Sequence, residues 1–185
     1  MKKNTIIATA LFGSLLFFII GCEIGTNPII LDSSISENIT INQTTVIPPP
    51  YEVPFPVSPL YVDTKTLQDV TGGNVEKISF YNMTLMVDNN TTPDTGKITG
   101  RLMANDTVLV SITNLSPSVF STEHSIFETI AGFHLNNDGL GIVLRAVKNP
   151  PPGGLKMQLF LGPTNSPAHF RLWIKVYGQI QTKAK

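Results

Sequence analysis

The sequence predicts an all-β protein: an antiparallel β-sandwich, immunoglobulin-like or jelly-roll, over residues 60–183, with at most one short helix. Three observations carry this. From Leu60 onward, short segments rich in Val, Ile, Leu, Phe and Tyr recur between turn residues. In the last segment Phe170, Leu172, Ile174 and Val176 alternate with Arg171, Trp173, Lys175 and Tyr177, a period of two with one aliphatic and one mixed face. The connectors Gly72-Gly73-Asn74, Asn136-Asn137-Asp138-Gly139 and Pro150 to Gly154 carry turn chemistry. At 185 residues the chain has room for one domain plus extras.

Taken in order, Val75–Val87 is the first long apolar run. Ile78 and Phe80 fall on one parity, and Tyr81, Met83, Leu85 and Val87 on the other. One extra residue in a strand flips every later side chain, so the run is read as a strand with a β-bulge. Asp88 to Asp94 follows as a polar hairpin connection. Its alternating oxygen-bearing side chains suggest a Ca²⁺ loop, but Pro93 stands where an EF-hand needs Gly, and the closing Glu is missing. Val108, Val110 and Ile112 mark another strand; Ile142, Leu144 and Ala146, with Arg145 facing away, mark a further one. Met157, Leu159 and Leu161 mark the strand before the last. Between them, Ser125-Ile126-Phe127-Glu128 has capping-box spacing, so 122–131 is either a short helix or a strand.

Residues 22–59 differ in composition. From Glu23 to Pro59 there is no Lys or Arg, and Pro48-Pro49-Pro50 is followed by Pro54, Pro56 and Pro59. Such proline density removes backbone donors and favours extended conformations. The stretch reads as a tether, flexible first and stiffer near its end. The alternative is that Ile29–Leu31 or Ile39–Ile41 adds an edge strand to the domain.

The N-terminus reads as an export signal over 1–21. Lys2 and Lys3 precede an uncharged run from Thr5 to Ile20, about 16 residues where a transmembrane helix needs about 20. The run ends Ile19-Ile20-Gly21-Cys22, which resembles the lipobox of bacterial lipoproteins. The resemblance implies diacylglyceryl attachment at Cys22, cleavage after Gly21 and acylation of the new terminus. Cys22 is the only cysteine, so it has no disulfide partner within the chain. Several acyl chains on one residue meet the requirement for stable anchoring. An uncleaved signal anchor is the competing reading. Glu23, rather than an Asp resembling an inner-membrane retention signal, points to the outer membrane.

The rest of the chain supplies little chemistry. His124, His134 and His169 are scattered without metal-ligand spacing, and no GxSxG elbow, P-loop or GxGxxG occurs. No catalytic residue, metal site or cofactor is therefore expected. Charged residues are 14% of the chain against a globular norm of about 25%, with no cationic excess for nucleic acid. The feature singled out is Trp173 with Tyr177 on the mixed face of the last strand, about 13 Å apart at the strand rise. Exposed aromatics on a flat sheet face stack on sugar rings or form a partner surface. The expectation is a lipid-anchored, non-enzymatic envelope module meeting the membrane through its acyl chains and an envelope protein or polysaccharide through its surface. A carrier of an apolar ligand and a carbohydrate-active enzyme are the alternatives.

Overall fold

A computed structural model describes residues 30–47, 51–69 and 75–182. The export signal, Cys22, the Pro48–Pro50 run and the Gly72–Asn74 turn lie outside the described residues. No helix among the described residues is long and apolar enough to cross a membrane.

The strands are β1 (Ile30–Gln43), β2 (Val53–Val62), β3 (Val75–Asp88), β4 (Ile98–Ala104), β5 (Thr107–Leu115), β6 (His124–Ser125), β7 (Phe133–Leu135), β8 (Leu155–Pro163) and β9 (Ala168–Thr182). Helix α1 (Thr66–Asp69) is a single turn, a 3₁₀ turn covers Pro117–Phe120, and α2 (Asn137–Lys148) is the longer helix. One sheet runs β1-β9-β3-β6 and the other β2-β8-β4-β5-β7, and every pairing is antiparallel. The protein is thus an all-β sandwich. Inward residues of β8 (Met157, Leu159, Leu161) and of β9 (Phe170, Leu172, Ile174, Val176) belong to one contiguous buried core. That placement follows from the period-two alternation of both strands.

The domain begins earlier than residue 60. β1 lies inside the expected tether, yet it pairs with β9 without a register shift, from Ile30 against Gln181 to Gln43 against Ala168. Ile39 and Ile41 are buried in the core. The exposed outward residues of β1 are Asp32, Ser34, Ser36, Asn38, Thr40 and Asn42, which lack the β-branched and aromatic enrichment that usually marks a strand. β2 also belongs to the domain, as the edge of the five-stranded sheet, where its prolines need not donate to a neighbour. β1 is an edge as well. It carries Glu37 on the inward parity, a charge that discourages pairing with another chain.

The bulge expected in β3 is present. Phe80 pairs with Gly178 and Asn82 with Tyr177, so Tyr81 is the extra residue, 66% exposed, and Met83, Leu85 and Val87 turn inward after it. One of the register shifts in the β4–β5 pairing sets Leu102 against Val110 but Met103 against Val108. Leu109 and Val110 are consequently both buried, which replaces the simple alternation expected of Val108, Val110 and Ile112.

Three local expectations are corrected. Ile142, Leu144 and Ala146 lie in α2, not in a strand, and the buried residues Gly139, Val143, Ala146 and Val147 follow a helical period. Asn136 caps α2 by accepting from the N–H groups of Asp138 at 2.8 Å and Gly139 at 3.4 Å. α2 packs against β3 and β5 and so spans both sheets. A Cβ on Gly139 would sit 2.2 Å from the Val108 carbonyl oxygen, so only glycine permits that approach. Residues 122–131 form neither a continuous helix nor a full strand. The Glu128 carboxylate does accept from the Ser125 N–H at 2.8 Å, but these bonds close one turn after the two-residue β6. Finally, Asp88–Asp94 is not a hairpin loop, because β3 and β4 belong to different sheets and the segment crosses between them.

Candidate functional site on the outer face of the four-stranded sheet

β9 is flanked on both sides by long strands, so its outward residues form the middle row of a broad surface. In register, β1 contributes Ser36 beside Lys175 and Asn42 beside His169. β3 contributes Asn82, Thr84, Met86 and Asp88 beside Tyr177, Lys175, Trp173 and Arg171. Trp173 and Tyr177 therefore occupy the centre of the sheet's outer face, as the alternation in the last strand implied.

The charges on this face are matched. Arg171 donates to both oxygens of Asp88, Nε to Oδ1 at 2.7 Å and Nη2 to Oδ2 at 2.6 Å. The Trp173 indole N–H also donates to Asp88 Oδ2, at 3.0 Å. These bonds, Arg171's first, hold the Asp88 carboxyl below its ordinary pKa, while Asp88 raises that of Arg171. The guanidinium lies 5.0 Å from the centre of the Trp173 ring, and Lys175 Nζ lies 4.8 Å from that of Tyr177. Each aromatic thus has a cation against it.

Glu123 enters from the segment before β6. Its Oε1 accepts from Thr84 Oγ1 at 2.5 Å and from the Tyr177 hydroxyl. The Thr84 bond, then the Tyr177 bond, lowers the Glu123 pKa, with the positive charge of Lys175 adding to them. Nearby, Glu128 is held ionised chiefly by His124, whose Nδ1 lies 2.7 Å from Glu128 Oε2. Neither carboxyl is pushed toward the protonated state.

Three depressions lie along this face. One of about 310 Å³ is lined by Ser36, Thr84, Met86, Glu123, Trp173 and Lys175. A second of about 290 Å³ shares Thr84 and Glu123 with it and adds Tyr81, Asn82 and Tyr177. A third of about 250 Å³ lies toward the start of β9, with Asn42, His169 and Arg171 among its lining residues. From His169 to Tyr177 the row extends about 26 Å at the strand rise.

Alternation in β9 put Trp173 and Tyr177 on a common face. Nothing in the sequence singles out Thr84 or Glu123, because the pairing that brings them beside β9 is a tertiary fact with no local signature. Among the described residues no group of three His, Cys, Asp or Glu side chains is placed to hold a metal ion. The chain matches no family model and no curated protein, so the site is read from its geometry alone.

Proposed function

We propose that this chain is a lipid-anchored protein of the bacterial cell envelope, most simply of the outer membrane. Its β-sandwich acts as a non-enzymatic binding module through the outer face of the four-stranded sheet. Acyl chains on Cys22 supply the membrane affinity, and the face around Trp173 and Tyr177 meets an envelope partner. The observation that carries the binding reading is the line of depressions on one face, with the chain's only tryptophan lining the largest.

Two further features support a binding role over the alternatives. Glycoside hydrolysis needs one carboxyl kept protonated as general acid. Glu123 and Glu128, the carboxylates beside the groove, are both stabilised as anions. A carrier needs an apolar cavity of at least about 300 Å³. The depressions described above open on the outer face, whereas the residues between the sheets form one buried cluster.

The anchor is tested by intact-mass analysis of protein extracted from membranes. The expected mass is that of a chain beginning at Cys22 plus its acyl groups, and Cys22→Ser should block both lipid attachment and processing. Normal maturation of that variant would refute the anchor. The binding face is tested by retention of the protein on washed envelopes, which Trp173→Ala with Tyr177→Ala should reduce. Unchanged retention would refute it.

A further inference from the structure

We infer that the groove on this face binds an uncharged oligosaccharide, with Trp173 against one sugar ring and Glu123 accepting hydroxyls of the adjoining units. The inference rests on the reading of this face as a binding surface and names its ligand class.

The chemistry of the lining selects among ligands. A polyanion requires uncompensated cations, but Asp88 takes Arg171 and the Glu123 carboxylate stands near Lys175. A peptide bound in extended form draws its affinity from unpaired backbone groups at a sheet edge. The groove instead runs over β9, which pairs on one side with β1 and on the other with β3. An acyl chain needs a continuous apolar surface, and here Met86 and Trp173 lie among Ser36, Thr84, Glu123 and Lys175. A saccharide fits what remains: C–H faces for an aromatic ring, and hydroxyls that both donate and accept.

The geometry adds three points. Arg171 lies against the indole, and the depression of about 310 Å³ is lined by Trp173 and Lys175 but not by Arg171, so the guanidinium does not occupy the part of the indole that lines it. The indole is also fixed in orientation by its bond to Asp88, which lowers the entropy lost when a ring stacks on it. Glu123 lines two adjoining depressions, and its Oε2 accepts no hydrogen bond from the described residues. One carboxylate oxygen is thus committed to Thr84 and Tyr177, while the other is left to accept from a ligand in the depressions that Glu123 lines.

Because Trp173 is the only tryptophan, its emission reports this groove alone. Full-length mature protein, in a detergent without a sugar headgroup, is titrated with cellohexaose, chitohexaose and mannohexaose, and separately with polygalacturonate. A saturable emission change with an uncharged oligosaccharide is expected, and none with the polyanion. Tyr177→Ala and Glu123→Ala should each weaken binding about tenfold, the value of one stacked ring or well-made bond, when titrated well below the melting temperature of each variant. Glu123→Gln, which keeps an acceptor, should lose less than Glu123→Ala, and Trp173→Ala should abolish the heat of binding. No emission change with any uncharged probe up to about 5 mM, the range of weak single-site affinity, overturns the inference, and so does preference for polygalacturonate.

Retention on washed envelopes separates this inference from the reading beneath it. If retention depends on Trp173 and Tyr177 but survives both periodate oxidation of the envelope sugars and enzymatic digestion of their periodate-resistant 1,4-linked N-acetylglucosamine chains, the face binds and its ligand is not a glycan. If retention ignores both residues, the binding face falls as well.

Discussion

Replacing Ile39 with alanine tests directly whether β1 is part of the domain. Ile39 and Ile41 are each 1% exposed and pack into the core from residues that composition alone assigns to a tether. Ile39→Ala removes three carbon groups at about 0.8 kcal/mol each, about 2.4 kcal/mol of transfer free energy. The cavity left behind raises the cost to about 3–4 kcal/mol, within the range for buried isoleucine. That is a large share of the roughly 5–15 kcal/mol that holds a domain folded. For a domain of this size the melting temperature should fall by about 6–16 °C. Urea unfolding of the detergent-solubilised mature protein measures the loss, with Thr40→Ala on the exposed face of the same strand as control. The control should stay within about 0.5 kcal/mol of the parent. If Ile39→Ala behaves like Thr40→Ala, β1 is not packed in the core and the assignment is refuted.

Three other outcomes follow from local geometry. Glycine to alanine inside a helix ordinarily stabilises by up to about 1 kcal/mol; Gly141→Ala should do so, because its Cβ would meet only the Arg145 Nη1 at 3.5 Å. Gly139→Ala should reverse the sign and cost about 1–3 kcal/mol by overpacking against the β5 backbone, and thermal melts of the pair decide it. Asp88→Ala, which removes the acceptor, should free the indole, so Trp173 emission should shift to the red and its anisotropy fall; unchanged spectra would show that Asp88 does not hold the ring. The Glu123 pKa lies below its ordinary value of 4.5, so the Thr84 and Tyr177 bonds contribute fully above that value. They are lost only as the pH falls through the lower pKa of the folded state. Trp173 emission followed from pH 7 to 2 should change in that acid range, with contributions from Glu123 and from Asp88, which bonds the indole directly and is likewise held below its ordinary value. Glu123→Gln should remove the first contribution and keep the second, and an acid profile identical to the parent's would refute the part assigned to Glu123.

How far the fold could be read in advance depended on the side chains each strand presents. β8 from Leu155 to Leu161 and β9 from Phe170 to Val176 alternate a buried apolar row with a mixed one, and the parity change in β3 announces its bulge, because period two is a local property of the chain. β1 was hidden because its outward positions carry Ser, Asn and Thr and its inward row is interrupted by Glu37, leaving Ile39 and Ile41 as a weak signal. α2 was hidden for the opposite reason. Gly139 and Gly141 lower helix propensity, while Ile142 and Val143 favour strands; packing of Val143, Ala146 and Val147 against β3 and β5 overrides both. At the site, alternation alone placed Trp173 and Tyr177 on one face. The partners that give the face its character come from far along the chain: Asp88 lies 83 residues from Arg171, and Glu123 lies 54 from Tyr177.

The earlier start of the domain also changes what the proposed anchor can do. If the acyl chains sit on Cys22 and β1 starts at Ile30, eight residue steps separate them, a reach of at most about 29 Å. A tether extending to residue 59 would let the domain roam, whereas under the proposed anchor a segment of this length would keep it within that reach of the bilayer. Ile30 pairs with Gln181, so the Tyr177 end of β9 is nearer the anchor and the His169 end is farther from it. Anchoring through β1 thus gives the groove a direction, with its Tyr177 end toward the membrane and its His169 end away. Under that proposal, a flat face on a short tether would meet polymer lying near the membrane surface, where a few weak contacts made together hold better than one strong contact at the end of a long leash.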